Sequence, residues 1–366
     1  MSGAPVVVVK VGTSSITDAR GEITTAAIEK LCAEVADRRR AGDRVVVVTS
    51  GAIAAGMPAL DLDRRPSDPV ILQALSAVGQ SRLLGVYDAA LARHGLVGGQ
   101  VLLGSLDFVN RRQYLHARQT LNVLLDMGVV PIVNENDAVS DGEIRFGDND
   151  RLAALVAHLL AADVLVLLTD TPGLLTADPR VDETASLIEE IIEVDADIEA
   201  LAGGTGSDRG SGGMASKLAA ARIAAWSGVR TVIAAAHRPD VVADAVAGAP
   251  GVGTVIVPRE QRLAARKLWI AFAVGSSGTV VVDAGARRAL EERGVSLLPA
   301  GVIDVQGGFD ADDAVEIAGP DGTVFAKGLV RHPAGRVKEL AGQRTSALPI
   351  DVTPEVVHRD DLVLLP

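Results

Sequence analysis

Short, almost purely aliphatic runs punctuate the first two thirds of the chain, at residues 6–9, 45–48, 129–133, 164–168 and 229–234. Each is too short for a helix, is mostly β-branched, and shows no alternation of apolar with polar positions. That pattern predicts strands covered on both faces, as in a parallel sheet. Between them lie Ala- and Leu-rich stretches at 71–91, 111–127, 151–162 and 214–226, which fit the helical crossovers that parallel strands require. The expected fold class is α/β, a doubly wound, mainly parallel sheet sandwiched by helices. After Gly275-Ser276-Ser277-Gly278 the pattern changes to short alternating segments separated by glycine turns, at 279–282, 301–305, 314–317 and 324–328. These predict a small β-rich module, a barrel or half-barrel of about 80 residues. The expected division is a first domain over 1–260, a linker over 261–276, the β-rich domain over 277–358 and a tail over 359–366.

Polar or glycine-bearing loops follow four of the aliphatic runs: Lys10-Val11-Gly12-Thr13-Ser14, Thr49-Ser50-Gly51-Ala52, Asn134-Glu135-Asn136-Asp137 and Thr169-Asp170-Thr171-Pro172-Gly173. Open α/β sheets bind ligands just beyond the carboxyl ends of their strands. Any one of these loops could be a simple turn. Four of them together point to a shared site.

Composition narrows the classes. Of 366 residues, 48% are hydrophobic and 22% charged, the balance of a globular chain, and its length suits two domains at about 150 residues each. Only 2% are aromatic, so the core is built from Val, Leu, Ile and Ala. With 35 Lys and Arg against 47 Asp and Glu, the net charge of −12 argues against nucleic acid or anionic lipid as the main partner. A single cysteine, Cys32, excludes an internal disulfide framework and favours a reducing cytoplasm. The start carries no basic region ahead of a long apolar run, so no secretory signal is expected. No stretch of about 18 apolar residues predicts a membrane span.

The candidate chemistry concerns phosphate. A glycine-rich stretch from Gly203 to Gly213 opens the helix expected from Met214, with Lys217 close behind. Glycines let backbone N–H groups approach an anion, and a helix start adds partial positive charge. The Walker A spacing is missing, and taken alone the stretch also fits a surface loop. Lys10 ends a strand expected at the sheet centre, where an unpaired ammonium is costly. Gly147-Asp148-Asn149-Asp150 precedes an apolar helix; capping explains one such residue but not three. With Asn134, Glu135, Asn136 and Asp137 these carboxylates and amides suit a small zwitterionic substrate. The six histidines lack metal spacing, and Cys32 has no activating neighbours.

At these residues the chain resembles the amino acid kinase family. The resemblance rests on Val9-Lys10-Val11-Gly12-Thr13-Ser14, Val48-Thr49-Ser50-Gly51-Ala52, Ala77-Val78-Gly79-Gln80-Ser81, Val133-Asn134-Glu135-Asn136-Asp137, Gly147-Asp148-Asn149-Asp150, Leu168-Thr169-Asp170, and Gly212-Gly213-Met214 with Lys217. The C-terminal module is similar to a PUA domain through Asp283-Gly285-Ala286, Ser296-Leu297-Leu298-Pro299-Ala300-Gly301 and Lys327-Gly328-Leu329. A kinase domain followed by this module points to the branch of the family that phosphorylates L-glutamate on its γ-carboxylate, the first step of proline synthesis.

Carried over, the resemblance implies that Lys10 and Lys217 contact the transferred phosphoryl group and that Asp150 orients them. It places Ser50, Gly51, Ala52, Asn134, Asp137, Asp148 and Asn149 around the substrate. ATP falls to Lys10, Gly12, Thr169, Asp170, Ser211, Gly212, Gly213, Met214, Ala215, Ser216 and Lys217. Mg2+ would be held mainly by ATP, with no protein ligand assigned. The implied partners are L-glutamate, proline as feedback inhibitor, further copies of the chain in a dimer or tetramer, and a glutamate-5-semialdehyde dehydrogenase that takes the product. Neither membrane nor RNA is expected. Leu175 stands where many members have tyrosine, and Ser216 replaces the common threonine while keeping the hydroxyl. From position 277 on the chain has 9 basic and 14 acidic residues, against the footprint of an RNA binder. Two rivals remain: a sister kinase acting on N-acetylglutamate, aspartate or a nucleoside monophosphate, and an RNA-binding protein with a relic kinase fold. Asp137 and Asp148 favour a free amino group, and the acidic C-terminal part disfavours RNA.

Overall fold

The computed structural model describes residues 3–365 except 19, 105–106, 109, 140–148, 179–181, 183, 203–212, 261, 345 and 347–352. The chain divides into two units, Met1–Arg262 and Leu263–Pro366.

The first unit begins with β1 (Val6–Val11), α1 (Thr13–Ile16), α2 (Thr25–Arg40), β2 (Arg44–Val48), α3 (Ala52–Gly56), α4 (Pro69–Ala92) and β3 (Gly98–Leu103). There follow α5 (Arg111–Asp126), β4 (Val130–Glu135), α6 (Asn149–Leu159), β5 (Val164–Thr169) and β6 (Glu190–Ile191). It closes with α7 (Ala196–Ala202), α8 (Met214–Trp226), β7 (Arg230–Ala235), α9 (Val241–Ala247) and β8 (Thr254–Ile256). The strands form one sheet in the order β3-β4-β2-β1-β5-β7-β8-β6, parallel throughout except where β8 runs against β7. Every residue of β1, β4 and β5 is buried, which is why their sequences show no alternation.

Strand order is what makes the site. β4, β2, β1 and β5 are neighbours, so the four loops singled out in the sequence leave the same edge of the sheet side by side. Register aligns them further: Lys10 lies level with Val48 on β2 and with Leu167 on β5. Below the loops, Val7, Val9, Val45, Val47, Ile132 and Val166 build an aliphatic core with Ile28, Leu83 and Tyr87 from the helices. The Tyr87 hydroxyl, fully buried, is satisfied by Thr49 Oγ1 at 3.0 Å. Helix starts are signposted where the sequence supplies caps. Asp68 Oδ1 accepts from Val70 N–H at 2.8 Å ahead of α4, and Asn110 Oδ1 from Arg112 N–H at 2.9 Å ahead of α5.

The second unit holds α10 (Ala265–Leu268), a π-helical turn (Trp269–Ala273), β9 (Gly278–Val282), α11 (Ala284–Arg293), β10 (Val302–Gly307), β11 (Ala314–Ala318), β12 (Val324–Val330), α12 (Ala334–Leu340) and β13 (Val357–Leu364). Five strands pair in the order β10-β9-β11-β12-β13 over a core that includes Val280, Val282, Ile317, Phe325, Val330 and Val357. Two expectations change here. The segment 359–366 is not a tail, because β13 pairs along β12 and seats Leu362 and Val363 inside. The segment 261–276 is more than a linker: Leu268 and Ile270 are buried, and Arg266 joins Arg331 on the Asp361 carboxylate of β13. Among the described residues no helix is long and apolar enough to cross a membrane.

Candidate active site

Lys10 is the fifth residue of β1, Asp150 the second of α6, and Lys217 the fourth of α8. The three side chains meet. Lys10 Nζ lies 2.5 Å from Asp150 Oδ1, and Lys217 Nζ donates to Asp150 Oδ2 at 3.1 Å. They are 3%, 0% and 5% exposed in the order Lys10, Asp150, Lys217. Ser216 adds its hydroxyl, 3.0 Å from Asp150 Oδ2 and 2.9 Å from the carbonyl oxygen of Gly213, so its one proton has two acceptors. Burial pushes the Asp150 carboxyl towards the neutral form. The two ammonium groups outweigh it and hold its pKa at about 2.

Local sequence explains the convergence. A Cβ built at Gly12 would lie 3.7 Å from Lys10 Nζ, so the ammonium folds back over that glycine. Asp150 sits in the first turn of α6, where an aspartate ordinarily serves the helix end; instead its side chain faces β1 and α8. Helix α8 begins after Gly213, a residue with no side chain to cap its leading N–H groups.

A second cluster adjoins the first through Asn149. The backbone N–H of Glu135 donates to Asn134 Oδ1 at 2.9 Å and to Asn149 Oδ1 at 3.2 Å. Both amide oxygens therefore accept from the same N–H, which turns the N–H₂ ends of these asparagines away from it. Asn134 Nδ2 also donates to Gln80 Oε1 of α4 at 2.8 Å, and Ser76 Oγ of the same helix lies 3.4 Å from Asp137 Oδ2.

Ser50, Gly51 and Ala52 form the turn from β2 into α3. Gly51 adopts a φ of 94°, a left-handed conformation that excludes most side chains. Ser50 and Ala52 are buried. Gly56 of α3 and Gly79 of α4 bring those helices into backbone contact. A Cβ at Gly79 would fall 1.8 Å from the Ala52 carbonyl oxygen, and one at Gly56 2.1 Å from that of Leu75.

Thr169 ends β5 and its Oγ1 donates to Oδ1 of the following Asp170 at 3.1 Å, while the Thr169 carbonyl accepts from Ala236 N–H at 2.7 Å. Met214 and Ala215 open α8 beside Ser216. Asp148, Ser211 and Gly212 lie outside the described residues. Gln80 and Ser76 were not among the expected site residues. Their signal was there: polar residues four apart inside an otherwise apolar helical stretch. Among the described residues no group of three or more His, Cys, Asp or Glu side chains could hold a metal ion.

Paired cations at the carboxyl edge of a parallel sheet are the electrostatics that phosphoryl transfer needs. Residues 5–235 match the Amino acid kinase family and residues 278–348 the PUA domain, and the chain belongs to the amino acid kinase family. It is similar to the Glutamate 5-kinase of Burkholderia multivorans, 46% identical over 98% of this chain and 97% of that one. It is also similar to the Glutamate 5-kinase of Moorella thermoacetica, 45% identical over 100% of this chain and 97% of that one. Among solved structures, carbamate kinase from Giardia lamblia bound to AMP-PNP shares the fold, with a TM-score of 0.50 and 18% identity, over 71% of this chain and 100% of that one.

Proposed function

We propose that the protein transfers the γ-phosphoryl group of ATP to the γ-carboxylate of L-glutamate, releasing ADP and L-glutamyl 5-phosphate, the first step of proline synthesis. The observation that carries this reading is the pair of buried ammonium groups, Lys10 and Lys217, on opposite oxygens of Asp150. Nearly full-length identity to two glutamate 5-kinases supports the choice of substrate.

The chemistry follows from charge. A glutamate side chain has a pKa of about 4.3 and is already ionised at neutral pH. Its oxygen attacks the γ-phosphorus directly, the new bond being C–O–P, while the bond from that phosphorus to the β–γ bridging oxygen breaks and ADP leaves. No base is needed. The obstacle is repulsion between an anionic carboxylate and an anionic phosphate, which Lys10 and Lys217 offset as charge shifts onto the transferring group. Each such charge contributes roughly 10²–10³-fold in rate. Asp150 holds both ammonium groups at one point. The leading N–H groups of α8 suit the phosphates, and the amide N–H donors of Asn134 and Asn149 suit a carboxylate.

Magnesium fits this donor set as an ion carried on ATP, because both Asp150 oxygens are engaged by lysines and magnesium keeps largely to phosphate oxygens and water. When bound it supplies further neutralisation of the triphosphate. The same reading extends to proline as an inhibitor, to a homo-oligomer, and to hand-over of the labile acyl phosphate to a reducing enzyme.

The test is a panel of single acceptors. Protein, ATP, magnesium and hydroxylamine are incubated with glutamate, aspartate or N-acetylglutamate, and the hydroxamate is measured. Signal with glutamate alone is expected. Signal only with aspartate or N-acetylglutamate would reassign the substrate.

A further inference from the structure

Gln80 lies on α4, outside the loops that surround the reacting groups, yet it is 7% exposed and aimed at Asn134, which is 1% exposed. An asparagine amide has two chemically opposite ends. Asn134 Oδ1 is taken by the Glu135 N–H, while one Nδ2 hydrogen goes to Gln80 Oε1, leaving the second as its remaining donor. Two contacts favour this orientation over the flipped one, the Glu135 N–H on Oδ1 and the Gln80 oxygen on Nδ2, and Gln80 is the one supplied by a side chain. Its position is not free to drift. The neighbouring Gly79 packs its Cα against the Ala52 carbonyl of α3, the helix that starts two residues after Ser50.

We propose that Gln80 is a positioning residue for acceptor specificity: through Asn134 it fixes the polarity of the substrate pocket, so that an amide N–H rather than a carbonyl oxygen faces the substrate's carboxylate. The inference rests on the reading of Asn134 as part of the glutamate site. Gln80 itself touches neither the substrate nor the transferred group. Loss of its oxygen removes one of the two contacts that hold the Asn134 amide against a flip, which weakens carboxylate binding and leaves the nucleotide side untouched.

The experiment compares Gln80→Met and Gln80→Ala in the full-length protein. Both lack the accepting oxygen but differ in volume. Each is expected to raise the KM for glutamate about tenfold, a loss of about 1.4 kcal/mol, with the KM for ATP and kcat within about threefold of the parent. In an Asn134→Ala background the same changes are expected to add less than about twofold, because the group through which Gln80 acts is gone. An unchanged glutamate KM overturns the proposal. So does a shift that follows side-chain volume, a shift that persists in full without Asn134, or failure of both variants to fold, each of which assigns Gln80 to packing. A parent protein with no glutamate-dependent product would instead remove the reading on which the proposal rests.

Discussion

Lys10 and Lys217, 207 positions apart in sequence, grip opposite oxygens of one buried carboxylate, at 2.5 Å and 3.1 Å. One comes from the central strand of the sheet and the other from the helix that follows the glycine-rich stretch. Asp150 is the part of this arrangement supplied by the protein itself, and it holds both cations in one fixed relation. Such preorganisation is what makes a fixed charge worth more than a solvated one.

Removing the shared anion should therefore damage both stability and turnover. Asp150→Asn removes the carboxylate that two buried ammonium groups share. Orphaning one partner of a buried ion pair costs about 3–5 kcal/mol, and loss of lysine alignment lowers kcat by roughly 10² or more. Urea unfolding and steady-state rates on the same preparation read both effects. A variant as stable and as fast as the parent would show that the carboxylate is incidental.

Acid should unfold the protein in two distinguishable windows. His158 on α6 is held at a pKa of about 4, first by burial and then by the nearby Arg262 charge, so it stays neutral in the folded chain while the unfolded chain protonates it near 6.5. Stability present above about 6.5 is thus lost as pH falls towards 4, by about 3 kcal/mol. Asp150, depressed from 3.8 to about 2, contributes stability present above 3.8 and lost as pH falls through about 2, of order 2 kcal/mol. Urea midpoints against pH are expected to flatten between 6.5 and 4 in His158→Gln, and below 4 in Asp150→Asn.

Gly79→Ala tests the helix contact beneath the substrate loops. Alanine in a helix interior ordinarily gains about 1 kcal/mol over glycine. Here the added Cβ would fall 1.8 Å from the Ala52 carbonyl oxygen and 2.5 Å from the Gly56 nitrogen, and both are backbone atoms. The contact decides the sign. The expected result is a loss of about 1–3 kcal/mol, seen as a lower Tm, with a raised KM for glutamate because Gln80 shifts with its neighbour.

Much of this frame is legible in the chain before any coordinates. The runs around Val8, Val46, Ile132, Leu165 and Val232 read as doubly covered strands because burial on both faces leaves few polar positions, and they are β1, β2, β4, β5 and β7. Other strands hide for physical reasons. β3 opens with Gly98-Gly99-Gln100 and lies at the sheet edge, where burial is partial. β6 and β8 span two and three residues, too few for any period to show. In the second unit, β13 follows a segment with no strand pattern and carries Arg359, Asp360 and Asp361, charges that mask its apolar half.

The candidate site divides the same way. Lys10, Asp150 and Lys217 stand out because each is a charge set against apolar or glycine-rich surroundings, a placement that needs a partner. That a single carboxylate partners both lysines is a property of the fold, since β1, α6 and α8 are remote in sequence. Gln80 and Ser76 escaped because an amide or hydroxyl within an apolar helix is as readily explained by solvent, and only the packing of Gly79 on α3 turns them towards Asn134 and Asp137. Ser216 was expected for its hydroxyl, and the contact to Asp150 gives that hydroxyl a specific acceptor.

The most direct test of the central claim is the rate of glutamate-dependent ADP release by Lys10→Ala, Lys217→Ala and the double variant, at saturating ATP and glutamate, with folding verified by circular dichroism. Each single change should lower kcat by roughly 10²–10³-fold, and the double variant should lose far less than the product of the two, because both cations serve one developing charge. Folded single variants that turn over at the parent's rate would contradict the account.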